Sequence, residues 1–351
     1  MVKKRPGEIR DALIRAPNWI GDAVLCLPAI DTLKKGFPNL KISVLAKPWV
    51  APIFLNNPYV SDIIEYDATK RHRGMSGKWR LINELRKRSF GIAILFQNAF
   101  EAALITLLTG IPERLGYATD GRGSLLTKAV KPGDKNARSH QVDYYLGLVR
   151  ALGLDSNSDR CPILYVMGSE KRRAETFLQG GGIAKGRPIV GIAPGSAYGP
   201  AKQWPAERFS QVANRLFDDY GMYAILFGGK GDKEVCALVE KGMETDCMNL
   251  SGATTLREAM AIISRCNLFI TNDSGLMHVS AAIGVFTIAI FGSTNPNLTG
   301  PLGKRCIFLY KGVECSPCYK RKCPTDFKCM YEVTADDVMD GISKIIGVKA
   351  L

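Results

Sequence analysis

Strand-like apolar runs and helix-like stretches alternate along this chain, in two successive series. In the first, "DALIRA", "KISVLA", "DIIEY", "GIAILF" and "RLGYA" are separated by helical periodicity over 22–36, 78–88, 99–109 and 140–152. In the second, "PIVGIAPG", "YAILFGG", "CMNLSG", "NLFITND" and "TIAIFGS" alternate with helical stretches over 205–220, from Asp232, over 255–264 and from Ser274; a last helix is expected over 334–347. Short β-rich runs, each followed by a helix-length crossover, predict parallel strands joined with right-handed connections. The expected fold class is α/β, with two Rossmann-like layers. Between the series, "MGSEKRRAETFLQGGGIAKGRP" (167–188) carries a helical stretch and then a glycine-rich break, which sets the expected domains at 1–168 and 169–351. The 351 residues, 46% of them hydrophobic, suffice for two cores, since one domain takes ~100–200 residues.

The longest apolar runs, such as "GVFTIAIFG", fall well short of the ~18 residues a membrane span needs. The opening "MVKKRPGEIRDALIRAP" is basic but lacks the apolar core of a signal peptide. Ten cysteines without an export signal point to a reducing cytoplasm. The net charge of +14 is uneven: 25 basic against 15 acidic residues over 1–168, and 22 against 18 over 169–351. Within the first half, "KRHRGMSGKWRLINELRKR" (70–88) holds eight Lys and Arg against Glu84 alone, with Trp79 between them. Such a stretch suits nucleic acid, anionic lipid or a phosphorylated substrate, and equally a solvated helix face behind a basic loop.

In open parallel sheets ligands bind at the carboxyl ends of the strands. The second series has five such loops rich in Gly, Ser, Thr and Asn, as expected for one extended polar ligand held by backbone amides: "APGSAYGPAKQWP", "FGGKGDKE", "SGATTL", "TNDSGLMH" and "FGSTNPNLTGPLG". In "TNDSGLMH", Asp273 and Ser274 can cap the incoming helix, Gly275 permits close approach of an anion such as diphosphate, and His278 lies one turn further on. An ordinary helix cap with a core histidine fits the same residues. Lys202, in the proline-bounded "GPAKQWP", can neutralise a phosphate leaving group or simply be solvated. Asp232 in "FGGKGDKE" can accept hydrogen bonds from ribose hydroxyls or cap its helix. In the first series, "NWIGDAVLCLPA" sets Gly21 and Asp22 at a strand-to-helix turn. Helix N-termini attract anions, so a phosphate loop there would exclude acids. Asp22 therefore caps the helix or meets something other than phosphate.

Taken in order, "NWIGDAVLCLPA", "PGSAYGPAKQWP", "TNDSGLMH" and "FGSTNP" resemble the signatures of the ADP-heptose:lipopolysaccharide heptosyltransferases, glycosyltransferase family 9, across nearly the whole chain. The "GPAKQWP" loop and the cysteine-rich tail are most similar to the heptosyltransferase II members. The resemblance implies a GT-B fold, with two Rossmann-like domains facing a central cleft. The acceptor would bind on 1–168 and the nucleotide sugar on 169–351. It further implies inverting transfer of heptose from ADP-L-glycero-D-manno-heptose to the first heptose of the lipopolysaccharide inner core, with another acceptor, at the first-heptose or a later-heptose step, as the alternative. Asp22 would act as base beside Gly21, and Lys202 would stabilise the departing diphosphate. Asp232 would hold the ribose. Gly195, Ser196, Asp273, Ser274, Gly275, His278 and Gly292 would line the donor site. The resemblance implies no cofactor, no catalytic metal and no nucleic acid. The acceptor, lipid A carrying acidic inner-core sugars, would be met at the cytoplasmic face of the inner membrane by peripheral contact, which gives the basic 70–88 stretch a purpose.

The tail "CSPCYKRKCPTDFKCM" spaces Cys315, Cys318, Cys323 and Cys329 as C-x2-C-x4-C-x5-C. That is compatible with a small structural zinc site, and equally with reduced or redox-active thiols. Cys26, Cys161, Cys236, Cys247, Cys266 and Cys306 read as small apolar core residues. Two rival functions are weaker. A nicotinamide-dependent oxidoreductase would want G-x-G-x-x-G after a first strand, which neither half has. A non-enzymatic binder of anionic lipid or polymer would account for the charge but not for the five ligand-type loops.

Overall fold

The computed structural model describes residues 9–133, 139–154 and 160–346. The chain forms two compact units, 1–165 and 166–351. The first contains β1 (Asp11–Arg15), β2 (Lys41–Ala46), β3 (Asp62–Glu65), β4 (Ile92–Leu95), β5 (Glu113–Tyr117) and β6 (Lys128–Val130), in the order β3-β2-β1-β4-β5-β6. The second contains β7 (Ile189–Ala193), β8 (Tyr223–Leu226), β9 (Cys247–Asn249), β10 (Leu268–Asn272), β11 (Phe286–Ile290) and β12 (Cys306–Leu309), in the order β12-β11-β10-β7-β8-β9. Every pairing is parallel. Read from opposite edges, the two orders are the same. Each reverses direction beside its first strand, between β1 and β4 and between β7 and β10, where ligand crevices form in such sheets.

Sheets covered by helices on both faces need strands that are apolar throughout. The central strands meet this: β4 and β7 are buried along their whole length. In the first unit Leu13, Leu45, Ala93 and Leu95 pack against Leu81, Leu85 and Ile105 of the helices Gly74–Arg86 and Phe100–Leu108. In the second, Val190, Ile192, Ile270 and Ile288 pack against Trp204, Phe209 and Leu216, and against Val338 and Ile342. The final helix, Ala335–Ile346, thus belongs to the second core. No helix among the described residues is long and apolar enough to cross a membrane.

Three local expectations differ from the structure. The helix expected over 22–36 is two helices, Ile20–Leu25 and Leu27–Gly36, meeting at Cys26. Pro28 explains the break, because it has no N–H to continue the ladder and its ring crowds the carbonyl four residues back. Strands β6 and β12 were not anticipated; both are edge strands, short and largely in contact with solvent. Cys161, Cys247 and Cys306 are only half-buried, whereas Cys26, Cys236 and Cys266 are buried as expected.

Candidate functional site

At the carboxyl edge of the second sheet, the loops after β7, β8, β10 and β11 converge on a few side chains. Lys202 ends a short 3-10 turn, Pro200–Lys202, and its Nζ is ion-paired with Asp273. Both side chains are largely buried, at 12% and 7% exposure. Thr294 Oγ1 donates to the same carboxylate oxygen at 2.6 Å, and the Tyr198 ring lies 4.6 Å from Nζ. Asp273 is thus turned to Lys202 and Thr294 rather than capping its helix. Ser274 does occupy the N-cap of the helix Gly275–Ile283, but its hydroxyl makes no capping bond and meets Thr271 Oγ1 at 3.1 Å. His278 is buried in that helix.

Asp232 faces the same edge from the loop after β8. Its Oδ2 accepts the Gly229 N–H at 2.8 Å, and it makes no side-chain cap to the helix Lys233–Lys241 that it precedes. The carboxylate leans on the loop after β7: a Cβ at Gly195 would come within 2.1 Å of its Oδ1. Gly195 is needed for this close approach, and it brings Asp232 beside Ser196. The hydroxyls of Ser196 and Ser293 are buried with no hydrogen-bond partner among the described residues. Buried hydroxyls are nearly always satisfied, so two orphans on neighbouring loops fit a site that completes them with a ligand. Gly292 has a different role from the other loop glycines. A Cβ there would meet Met330 Sδ at 2.3 Å and Cys329 Sγ at 2.9 Å, so its smallness admits the C-terminal segment.

That segment braces the Lys202 loop. Ala201 N–H donates to Arg321 O at 3.1 Å, Tyr198 Oη to Tyr319 O at 2.6 Å, and Trp204 Nε1 to Val333 O at 2.8 Å. Cys329 is buried in the core of the unit, while Cys315 is exposed. Among the described residues, no three His, Cys, Asp or Glu side chains are grouped so as to hold a metal ion.

At the carboxyl edge of the first sheet, Asp22 is the third residue of the helix Ile20–Leu25, whose N-cap is Trp19. It is therefore not the cap. Tyr145 Oη, from the helix Gln141–Arg150, donates to Asp22 Oδ1 at 3.1 Å. Burial, and then the Asp22 carboxylate, raise the Tyr145 phenol well above its usual range, so it stays a proton donor. Asp22 also sits in the first turn, where the helix field favours the ionised carboxylate.

Several further residues at these edges were not singled out in the sequence. Lys47, which follows β2, is buried, with Nζ 3.6 Å from the centre of the Tyr66 ring. Burial, then the nearby Arg15, lower its pKa to about 8. Arg15 is itself buried at the end of β1, its guanidinium donating to Ala16 O at 2.6 Å and to Asn18 Oδ1 at 2.9 Å. Tyr66 Oη donates to Glu101 at 2.8 Å, and Lys78 pairs with Glu101 at 2.7 Å. In the second unit, Asn272 at the end of β10 holds both ends of the loop after β7: its Nδ2 donates to Pro194 O at 2.6 Å and its Oδ1 accepts Trp204 N–H at 3.0 Å. Position relative to a strand end could have flagged Lys47 and Asn272; Tyr145, 123 residues from Asp22, offered nothing.

The profile of Glycosyltransferase family 9 (heptosyltransferase) matches residues 78–328. Lipopolysaccharide heptosyltransferase 2 of Escherichia coli K12 is 31% identical over 301 residues, covering 84% of this chain and 86% of its own. The solved structure of E. coli ADP-heptose lps heptosyltransferase II superposes with a TM-score of 0.81 at 28% identity, covering 96% of this chain and 98% of that one. A family 9 glycosyl transferase from Veillonella parvula superposes with a TM-score of 0.87 at 25% identity, covering 99% of each chain. With these relatives the fold class is GT-B, and the chain belongs to glycosyltransferase family 9, the heptosyltransferases.

Proposed function

We propose that this glycosyltransferase transfers heptose from ADP-L-glycero-D-manno-heptose to the first heptose of the lipopolysaccharide inner core, with inversion at the anomeric carbon. The carrying observation is the pairing of chemistries on the two strand edges. One edge holds a carboxylate in a helix first turn, and the other holds a lysine fixed by a buried aspartate among glycine and serine loops. On this reading 1–165 takes the acceptor and 166–351 the nucleotide sugar.

Asp22 accepts the proton of the acceptor hydroxyl as its oxygen bonds to the anomeric carbon and the bond to the diphosphate oxygen breaks, releasing ADP. Tyr145 orients the carboxylate. Lys202 keeps further N–H donors beyond the one given to Asp273, and these meet the charge growing on the leaving diphosphate. Asp232 accepts from the ribose hydroxyls. Ser196, Ser274, Gly275 and His278, with the amides opening the helix Gly275–Ile283, surround the diphosphate and heptose. Gly21 allows the acceptor to approach Asp22. Lys47 and Arg15 supply positive charge for the acidic groups of the acceptor. That acceptor is lipid-borne, so the enzyme works at the cytoplasmic face of the inner membrane.

The test is transfer by the purified chain from ADP-heptose, with metal chelated, to truncated lipopolysaccharide ending at the first heptose or just before it. Transfer only to the heptose-bearing acceptor is expected. Transfer only to the shorter one would move the enzyme to the first step, and no binding of ADP-heptose would overturn the donor reading.

A further inference from the structure

Two neighbouring helices of the first unit turn an unusual face to solvent. In Gly74–Arg86, Gly77, Leu81, Ile82 and Leu85 are buried, while Met75 and Trp79, one turn apart, are 71% and 44% exposed. In Phe100–Leu108, Ala102, Ala103 and Ile105 are buried, while Phe100, Leu104 and Leu107 lie exposed at i, i+4 and i+7. Each helix thus has an apolar outer stripe as well as an apolar inner one. A soluble surface helix normally carries its polar residues there.

The two stripes are held side by side. Arg86 donates through Nε and Nη2 to Leu108 O at 3.1 and 2.7 Å, its guanidinium lies 5.9 Å from the Trp79 ring, and Lys78 reaches Glu101 at 2.7 Å. Flanking the helix Gly74–Arg86 in sequence are Lys70, Arg71, Arg73, Lys87 and Arg88, with Arg80 within it, all exposed. Of these six, only Arg71 and Arg88 are in ion pairs among the described residues. Met, Trp, Phe and Leu projecting from one face, rimmed by Lys and Arg, is the composition of an interfacial helix. The apolar side chains enter the boundary between headgroups and acyl chains, and the cations meet anionic headgroups.

We propose that the outer face formed by Met75, Trp79, Phe100, Leu104 and Leu107, with its basic rim, docks this enzyme on a bilayer surface bearing anionic phospholipid. The proposal rests on the reading that the acceptor is lipid-borne, and it names the surface that brings the enzyme to it. The same two helices bring Lys78 and Glu101 to the carboxyl edge of the first sheet, beside Tyr66 and Lys47. Docking through this face therefore sets that edge close to the headgroup layer.

Vesicle flotation of the full chain tests it, using phosphatidylglycerol–phosphatidylethanolamine vesicles free of any acceptor, with phosphatidylcholine vesicles as the comparison. Wild type is expected to float with the anionic vesicles, to be released by raised salt, and to ignore phosphatidylcholine. The double variants Met75→Ser/Trp79→Ser and Leu104→Ser/Leu107→Ser, changed only at exposed positions, should bind at least tenfold more weakly. Both should keep wild-type transfer to a deacylated, water-soluble acceptor while losing transfer to acceptor embedded in vesicles. Wild type that does not float, or variants that float as well as wild type, overturns the docking surface. Failure of transfer to the soluble acceptor by wild type would instead overturn the acceptor reading and leave flotation intact.

Discussion

The carboxyl edges of the two sheets are built on one strand order and hold opposite chemistry. The first gathers more cations than carboxylates, Arg15, Lys47 and Lys78 standing around Tyr66 with Glu101 and Asp67, while Asp22 lies apart on its own helix. The second balances its lysine, since Lys202 is matched by Asp273, and the rest of its lining is the Asp232 carboxylate with glycine, hydroxyl and amide. A shared topology decides where a ligand goes; the residues just past each strand decide which ligand is welcome. An edge with spare cations suits an acceptor bearing acidic groups. An edge with a balanced pair and close-packed glycines suits a diphosphate whose charge is greatest only as it leaves.

Substitution can break this contrast at its strongest points first. Asp22→Asn should lower kcat by about 10³-fold, within the range for losing a general base, while the affinity for ADP measured by calorimetry stays unchanged. Lys202→Met should cost about 10²-fold in kcat. It should also cost about 3 kcal/mol of stability in urea melts, because Asp273 is left buried without its cation. Adding Asp273→Asn should return most of the stability and none of the turnover, which separates the structural pair from its catalytic use.

Smaller effects sharpen the comparison. Gly195→Ala forces Asp232 aside and should raise KM for the donor about tenfold, equivalent to about 1.4 kcal/mol. Gly231→Ala, with open space around the added carbon, should leave it unchanged. Tyr145→Phe removes a donor that favours the ionised Asp22. The acid limb of the pH–rate profile should then move to higher pH, by less than about one unit. Lys47→Met tests the excess of positive charge at the first edge. The folded-state pKa of Lys47, about 8, lies below the ordinary lysine value, so below pH 8 the fold carries a charge that costs it free energy. As pH rises above 8, the folded chain has released a proton that the unfolded chain still holds, and stability climbs. The variant should be more stable at pH 7, by about 1 kcal/mol, and should lose that climb in thermal melts taken from pH 7 to 10.

The strand series was readable because buried parallel strands are continuous apolar runs; the three residues of β6 and the half-exposed β12 lack that signature. Pro28 in "CLPAI" was the visible cause of the break that the 22–36 periodicity concealed. Among site residues, Asp22, Lys202, Asp232 and Asp273 stood out because each lies in the loop or the first helical turn that follows a strand. Their partners did not. That Asp273 would turn to Lys202 and Thr294, or that Tyr145 would reach Asp22, depends on how distant segments meet, and no local pattern encodes it.

The C-terminal brace on the Lys202 loop carries a consequence for how the enzyme comes into being. Residues 319–333 reach back more than a hundred positions to hold Tyr198, Ala201 and Trp204. Such distant closures form late, after the nearer contacts have organised the sheet. On the ribosome, the loop that holds the lysine waits for residues 319–333 to emerge. A chain released before them would have all twelve strands and an unbraced Lys202 loop, so the order of synthesis makes this loop among the last parts of the second unit to be fixed.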